Sequence, residues 1–395
     1  MITKSNEIKT SDLQGFKYFK NISKLLQTLH KAGCEHDRQG NRILHMDQYL
    51  SLLLLCMFSP VCTSLRAMQQ ASKLKKVQSK LSVPRAALGS LSEAARVFES
   101  ELLIGIIGDL VKELEPIPHS AKLDELKAVL TIVDGTLFKA LPKTVEALWY
   151  NQDNKAFKAH IHYEVLKGVP VSAKVTDGNV DERHILAENL QAGRLYVLDR
   201  GFCNYKLLQQ IVDTASSFIC RIKDDAHIEI ESSNDLSADD IAAGIISDWI
   251  VKLGRGVNRK IFKQPVRIIK LRCIEQTKWS IDKRNKRRTD ETMLIATNRT
   301  DLTADTIALV YKYRWQVEIF FRFFKHILGC RHLLSHCDNG VELQVYVGII
   351  ACLLIALYTG RKPNKRTYEM FCWYLSGWAD EQELIEHIES LKNQD

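Results

Sequence analysis

Three acidic residues, far apart in the sequence, are placed where together they could hold divalent metal ions. Asp134 follows the apolar run 129–133, Asp199 follows the apolar run 195–198, and Glu318 belongs to a long segment with helical periodicity. A carboxylate at the end of a buried strand projects into the crevice where α/β proteins bind ligands. Carboxylate oxygens are the ligands that Mg²⁺ and Mn²⁺ prefer, and two such ions can activate a water or a 3′-hydroxyl for displacement at a phosphodiester. The three residues therefore predict metal-dependent chemistry at phosphate.

Glu318 has basic and aromatic neighbours on one face of its predicted helix. Tyr311, Arg314, Glu318 and Lys325 are spaced Y-x2-R-x3-E-x6-K, and at about 100° per residue they fall within roughly 60° of one another. An adjoining sector is apolar, so one flank of the helix packs on the protein and the next presents these four residues. Two interpretations stay open. The first is a solvated Arg314–Glu318 ion pair worth about 0.3–0.5 kcal/mol, and the second is a metal-binding acid whose neighbours hold phosphates.

The elements that must position these residues are those of a mixed α/β sheet. Patterns of alternating or continuous apolar residues predict strands, listed here by number: 129–133, 158–165, 169–175, 195–198 and 217–222. Helices are predicted between the later strands, over 182–190 and 206–212. Three strands in a meander, followed by helix, strand, helix and strand, are typical of a mixed sheet with helices packed on it. A long helix from about 304 to 328 follows.

Changes of pattern divide the chain into three regions. Residues 1–125 predict a helical N-terminal domain, with helices over 16–29, 46–58, 64–81 and 91–114. Residues 126–358 form the α/β domain, which a strand-rich insert interrupts at about 224–300, with strands over 249–253, 259–262, 266–274 and 293–297. Residues 359–395 form a C-terminal helical tail.

Composition narrows the class of protein. The chain has 395 residues, 46% of them hydrophobic, and a net charge of +8, which is typical of a globular protein and compatible with an acidic partner. Its ten cysteines contain no CxxC pair, so we expect reduced thiols and a cytoplasmic location. The apolar runs 52–58 and 345–358 are shorter than the ~20 residues that span a bilayer, which predicts core helices and no membrane partner.

Three motifs in this order give the chain a specific resemblance. The segments V-D-G-T around Asp134, L-D-R-G-F around Asp199 and the Y-x2-R-x3-E-x6-K helix resemble the DDE transposases of bacterial insertion sequences, in the group named for its YREK signature. The resemblance covers about residues 129–358, including the strand-rich insert, and implies a ribonuclease-H-like catalytic domain.

The resemblance also implies roles and partners. Asp134, Asp199 and Glu318 would bind two Mg²⁺ or Mn²⁺ ions, and Tyr311, Arg314 and Lys325 would contact the DNA backbone. The reaction would be cut-and-paste transposition of double-stranded DNA: cleavage at terminal inverted repeats, through a DNA hairpin in some relatives, then attack on target DNA. A homodimer would hold two DNA ends in a synaptic complex at the bacterial nucleoid.

Further DNA contacts are expected outside the YREK helix. Arg200 follows Asp199 directly, and the insert has a strongly basic loop containing Lys283, Arg284, Lys286, Arg287 and Arg288. Trp249 and Trp279 of the insert are candidates to hold a flipped base by stacking, with a core or edge aromatic as the alternative for each. The helical N-terminal domain is the expected binder of the DNA ends, because helices fit the major groove.

Two other functions stay open at this stage. A ribonuclease-H-like nuclease would cut without strand transfer, and a non-catalytic DNA-binding protein derived from a transposase would bind without cutting. A zinc site formed by Cys330, His332, His336 and Cys337 is disfavoured, because the paired-cysteine spacing of structural zinc sites is missing.

Overall fold

The computed structural model of the protein describes residues 24–32, 41–139, 149–151, 154–257, 261–272, 292–330 and 332–392. The helices, numbered α1 to α13 in chain order, are Met46–Met57, Leu65–Ser72, Lys75–Leu81, Leu88–Val97, Leu102–Glu113, Glu182–Glu188, Tyr205–Asp213, Ala238–Ala242, Ala304–Tyr313, Trp315–Arg322, Asp338–Thr359, Lys365–Ser376 and Glu381–Lys392. The strands, β1 to β10, are Val129–Lys139, Trp149–Asn151, Asn154–Glu164, Val169–Asp177, Arg194–Leu198, Ser217–Ile222, Ile228–Ser233, Ile245–Leu253, Val266–Arg272 and Thr292–Thr297. Short 3₁₀ turns occur at Ala121–Leu126 and Arg200–Phe202, and a π-helical turn at Phe323–Ile327.

The ten strands form one mixed sheet. Strand β3 pairs with both β4 and β1 in antiparallel fashion, and β5 and β6 continue the sheet parallel to β1. This arrangement confirms the mixed α/β sheet predicted from the strand pattern. The insert does not form a separate layer. Its strands extend the same sheet beyond β6 in the order β10, β9, β8 and β7, all antiparallel.

The longest helix, α11, lies at the centre of the larger hydrophobic core. It has the length and composition to cross a membrane, yet 89% of its apolar stretch is buried inside the protein. It contacts β4 and the N-terminal helices α1, α4 and α5. The predicted boundary near residue 125 therefore separates two sequence patterns that share one hydrophobic core, and the division into domains stays a prediction.

Three predicted helices are interrupted in the structure. The segment 64–81 forms α2 and α3, with Lys73 and Leu74 between them. The segment 91–114 forms two helices, because the Asn339 side chain of α11 donates hydrogen bonds to the carbonyls of Ala95 (2.8 Å) and Phe98 (2.7 Å) where α4 ends. The segment 304–328 is divided at Arg314 and finishes in the π-helical turn. The predicted helix over 16–29 lies mostly outside the described residues.

Burial also differs from prediction on strand β3. Its alternation predicted one exposed face, but His160 and His162 are both buried. The His160 ring hydrogen-bonds to Thr176 Oγ1 (2.8 Å), and the His162 ring packs edge-on against Tyr196. Burial lowers the pKa of each histidine to about 4, so both are neutral near pH 7.

One pair of cysteines is close enough to be linked. The turn after α1 brings the Cα atoms of Cys56 and Cys62 to 4.9 Å, a separation that a disulfide spans. Among the described residues the other cysteines are free thiols: Cys203, Cys220, Cys330, Cys337, Cys352 and Cys372.

Candidate active site

Asp134 and Asp199 lie at the same level on two adjacent parallel strands. The pairing of β1 with β5 ends at Ile132 opposite Val197, and each aspartate comes two residues later. Strand β1 does not end at Asp134, as its apolar run predicted, because β3 continues to pair with it as far as Lys139. Since adjacent strands are about 4.8 Å apart, the two carboxylates share one edge of the β1–β5 pair.

The carboxyl group of Asp134 is in an environment that favours its protonated form. Asp134 is half-buried, and this burial raises its pKa to about 7. The Gly135 amide, which donates to Oδ1 at 2.8 Å, lowers the pKa; the nearby charges of Asp199 and Glu182 raise it, and Arg314 lowers it. Asp199, Glu182 and Arg314 are therefore each within electrostatic range of Asp134. A cation bound beside Asp134 would relieve this crowding of negative charge.

The carboxylate of Asp199 is fixed by the backbone that follows it. Its Oδ1 accepts hydrogen bonds from the amides of Gly201 (2.7 Å) and Phe202 (3.3 Å), so Asp199 caps the 3₁₀ turn after β5. Both bonds use the same oxygen. Arg200 lies within this turn and is exposed to solvent.

Glu318 and Arg314 face the sheet from the helix that the sequence predicted. Arg314 Nη2 donates to Glu318 Oε1 at 2.6 Å, with 17% and 34% of the two side chains exposed. Burial tends to lower the pKa of Arg314, but the bond to Glu318 and the nearby Tyr311 and Asp134 raise it overall. Arg314 is therefore close to Asp134 as well as to Glu318.

Tyr311 and Lys325 occupy different parts of the site. Burial raises the pKa of the Tyr311 phenol to about 12, and Asp199 is among the charged groups near it. Lys325 belongs to the π-helical turn and lies over the ring of Phe138, 5.3 Å from its centroid. Phe138 is four residues beyond Asp134 on β1, so Lys325 lies about 13 Å further along that strand. The structure thus brings Tyr311 and Arg314 to the aspartates and places Lys325 farther away.

Of the aromatic candidates in the insert, Trp249 is described by the structure and does not lie at this edge. Trp249 lies on β8, half-buried against the core on the sheet face opposite to Asp134. In the strand order β8 is five positions from β1, a separation of roughly 24 Å. Trp279 and the basic loop with Lys283, Arg284, Lys286, Arg287 and Arg288 lie outside the described residues.

Two charged residues near the site were missed by the sequence interpretation. A Cβ atom on Gly135 would lie 2.5 Å from Glu182 Oε1, so the glycine leaves room for this carboxylate, which pairs with Lys158 Nζ at 3.2 Å. Arg221 lies on β6 among apolar residues and is close to Tyr311. A charged residue within an apolar strand was a signal for Arg221, whereas the contact of Glu182 with Gly135 has no signal in the sequence.

The donor types at the site suit a hard divalent cation. Among the described residues, no three histidine, cysteine, aspartate or glutamate side chains converge closely enough to hold a metal unaided. Mg²⁺ is commonly bound through one or two carboxylates together with substrate phosphates, and the pair Asp134 and Asp199 meets that requirement. The cysteines of the disfavoured zinc set are buried in the core, where Cys330 contacts Met57 and Cys337 donates to the Ala95 carbonyl.

Known proteins similar to this chain are transposases. The chain is 26% identical over 237 residues to a putative transposase of Sinorhizobium fredii, covering 59% of this chain and 62% of that protein. It is 25% identical over 227 residues to a probable insertion-sequence transposase of Geobacillus stearothermophilus, covering 57% and 55%. The chain thus covers less than two thirds of the length of either relative. Among solved structures, the cryo-EM piggyBac transposase synaptic complex with hairpin DNA is loosely similar, with a TM-score of 0.46, 10% identity, and coverage of 98% and 87%.

The family match coincides with the sheet and helices described above. The model of the transposase DDE domain matches residues 125–354, more than half of the chain. The matched segment contains Asp134, Asp199, Glu318 and most of the helix α11. The chain therefore belongs to the transposase DDE domain family.

Proposed function

We propose that this protein is an insertion-sequence transposase of the YREK group that cleaves DNA ends and joins them to target DNA. The observation that carries the proposal is the placement of Asp134 and Asp199 at one level of adjacent strands, with Arg314 and Glu318 facing them. The proposed partners are double-stranded DNA with terminal inverted repeats, target DNA and a second copy of the chain, within the bacterial cytoplasm.

The proposed site binds Mg²⁺ or Mn²⁺ through Asp134 and Asp199. When bound, two such ions supply the activation of a water or 3′-hydroxyl and the stabilisation of the leaving oxygen. The fixed carboxylate of Asp199 is held ready by its two backbone amides, so little reorganisation precedes binding. Asp134 must lose its proton when a cation binds, because only the carboxylate is a ligand.

Glu318 and its neighbours supply the remaining contacts to the cation and to the DNA backbone. Glu318 has one hydrogen bond to Arg314 and is a third exposed, so after a change of side-chain rotamer its carboxylate would help to hold the cation. The Arg314 guanidinium would then hold a phosphate oxygen, for which its planar donors are suited. Tyr311 contacts the same backbone near Asp199, and Lys325 contacts it farther along β1. The helices before residue 125 recognise the terminal sequence.

Substitution of each carboxylate tests the proposal. A linear duplex carrying the DNA that borders the gene is incubated with Asp134→Asn, Asp199→Asn or Glu318→Gln protein in Mg²⁺ or Mn²⁺. Each change should reduce strand cleavage by about 10³-fold or more, since several kcal/mol of transition-state stabilisation is lost at about 1.4 kcal/mol per tenfold. Duplex binding in EDTA should persist, and the exposed Glu389→Gln variant on α13 should cleave normally.

Each alternative has its own outcome in this assay. Carboxylate-dependent cleavage without joined products would identify a nuclease, and binding without cleavage by the unaltered chain would identify a non-catalytic DNA-binding protein. Full cleavage by any one of the three variants would remove that residue from the site.

A further inference from the structure

Arg221 lies in the same row of the sheet as the two aspartates. Leu198 pairs with Cys220 in the parallel ladder of β5 and β6, so Asp199 and Arg221 follow at the next level. The Cys220 thiol donates to the Asp199 carbonyl at 3.6 Å, which confirms how close the two segments are. Asp134, Asp199 and Arg221 thus occupy neighbouring positions on β1, at the end of β5 and on β6.

The side chain of Arg221 points to the face of the sheet that carries the site. Successive residues of a strand alternate between faces. Cys220 is buried in the smaller core on one face, whereas Ile219 belongs to the larger core on the other, together with Ile132 and Val197. Asp134 is two residues after Ile132, Asp199 two after Val197 and Arg221 two after Ile219, so all three share a face. The proximity of Arg221 to Tyr311 agrees with this direction.

The guanidinium of Arg221 is incompletely satisfied. Its Nε is buried and has no hydrogen-bond partner among the residues that the structure describes. Nearly all buried donors in proteins are paired, and an unpaired donor on a charged group is especially unfavourable. Arg267 in the insert shows the usual arrangement, with Nε, Nη1 and Nη2 all bonded. Arg221 therefore keeps an unpaired donor beside Asp199.

We propose that Arg221 binds a non-bridging phosphate oxygen of the DNA strand held at Asp134 and Asp199. This inference rests on the proposed function and adds to it a phosphate contact on the sheet, opposite those made by the helix. A phosphate oxygen supplies the acceptor that Nε lacks, and a guanidinium binds phosphate through paired donors. The anion also balances the positive charges of Arg221 and Arg314, which are both close to Tyr311.

The salt dependence of binding tests this contact. Binding of the duplex carrying the gene border is measured in EDTA as a function of salt for Arg221→Gln, Arg221→Lys and the matched control Arg366→Gln, an exposed arginine on α12. Loss of one phosphate contact should reduce the slope of log K against log salt by about 0.9 for Arg221→Gln. The lysine variant, which keeps the charge, should retain most of the slope, and Arg366→Gln should leave it unchanged.

A second measurement identifies the phosphate itself. Single phosphates of the duplex are replaced one at a time by uncharged methylphosphonate. At one position near the cleavage site the replacement should weaken binding of the unaltered protein, and Arg221→Gln should show no further loss there, because the two changes remove the same contact. The melting temperature of Arg221→Gln should be unchanged or higher, since an unpaired buried donor is removed.

The outcomes separate this inference from the proposed function. An unchanged salt slope and an unchanged methylphosphonate pattern in Arg221→Gln would overturn the contact. So would a lowered melting temperature with equal loss of binding in the Gln and Lys variants, because that result assigns Arg221 to the fold. Failure of the proposed function appears elsewhere, as undiminished cleavage by Asp134→Asn and Asp199→Asn protein.

Discussion

Two arginine–carboxylate pairs in this chain differ in how completely the protein surrounds them. In the insert, Arg267 on β9 binds Asp248 on β8 through two bonds, Nε to Oδ1 at 2.9 Å and Nη2 to Oδ2 at 2.7 Å. Only 6% and 3% of these side chains are exposed. At the candidate site, Arg314 and Glu318 share a single bond of 2.6 Å, with 17% and 34% exposed.

The difference separates a pair that supports the fold from a pair that is free to exchange partners. Arg267 also donates to the carbonyls of Leu302 (2.6 Å) and Arg299 (3.2 Å), so its charge joins the insert to the segment before α9. Breaking a fully buried pair leaves a charge without compensation, whereas breaking a partly exposed i,i+4 pair costs less because water still reaches the separated charges. A guanidinium–carboxylate pair therefore contributes differently to stability at the two places, and the burial of the pair determines how much.

The largest effect on stability is expected in the insert. Asp248→Ala leaves the Arg267 guanidinium buried without its carboxylate and should lower the free energy of unfolding by about 3–5 kcal/mol. Urea denaturation of the purified protein measures this change.

A double variant sharpens that prediction. Replacing both partners by apolar residues of similar size, Arg267→Met with Asp248→Leu, removes the buried charge and should recover most of the lost stability. If Asp248→Ala lowered the free energy of unfolding by less than about 1 kcal/mol, the two arginine–carboxylate pairs would be equivalent and the comparison would be wrong.

Much of the sheet was predictable, because a buried strand appears in the sequence as a short run of apolar residues. The runs 129–133 and 195–198 are apolar on both faces, and they form β1 and β5 as expected. Strand β7, Ile228–Ser233, was not predicted, because it is mostly exposed and carries polar residues. The break between α4 and α5 was not predictable from nearby residues either, since the side chain that stabilises it comes from Asn339, about 240 positions later in the chain.

The residues of the candidate site also differ in whether the sequence near them predicts their position. Asp134 and Asp199 were found because a charged residue after an apolar strand is conspicuous, and Glu318 because helical spacing groups it with Arg314. Lys325 was expected beside them on an ideal helix, but the π-helical turn and the irregularity at Arg314 move it along β1. Glu182 approaches Gly135 through tertiary packing alone, so no local sequence pattern predicts this contact.

An intermediate effect is expected from Asp134, the acidic group that lacks a dedicated arginine. Its pKa is about 7 in the folded protein and about 3.9 in an unfolded chain. Between these values the folded protein binds more protons than the unfolded chain, so stability falls as the pH rises from about 4 to about 7 and levels off above that. In EDTA, Asp134→Asn should therefore become more stable than the unaltered protein as the pH rises, by up to a few kcal/mol, at about 1.4 kcal/mol per pKa unit.

Urea denaturation at a series of pH values measures this difference. The exposed Asp109→Asn variant serves as the control and should show a nearly flat difference across the same range. The difference in the free energy of unfolding between Asp134→Asn and the unaltered protein could also be independent of pH. In that case the carboxyl of Asp134 is as well compensated as that of Asp248. The insert and the candidate site then differ in their arginine pairs alone.

The smallest effect on stability is expected from the pair at the candidate site. Glu318→Gln removes one partly exposed i,i+4 ion pair and should change the free energy of unfolding by about 0.5 kcal/mol or less. The glutamine keeps an acceptor oxygen for Arg314 and preserves the volume of the side chain, so the helix packing is retained. Parallel urea titrations of Glu318→Gln and Asp248→Asn compare the two carboxylates by the same isosteric change, and only the second should be strongly destabilised. A large loss of stability in Glu318→Gln would show that Glu318 supports the fold, and any loss of cleavage in that variant would then reflect unfolding instead of a missing metal ligand.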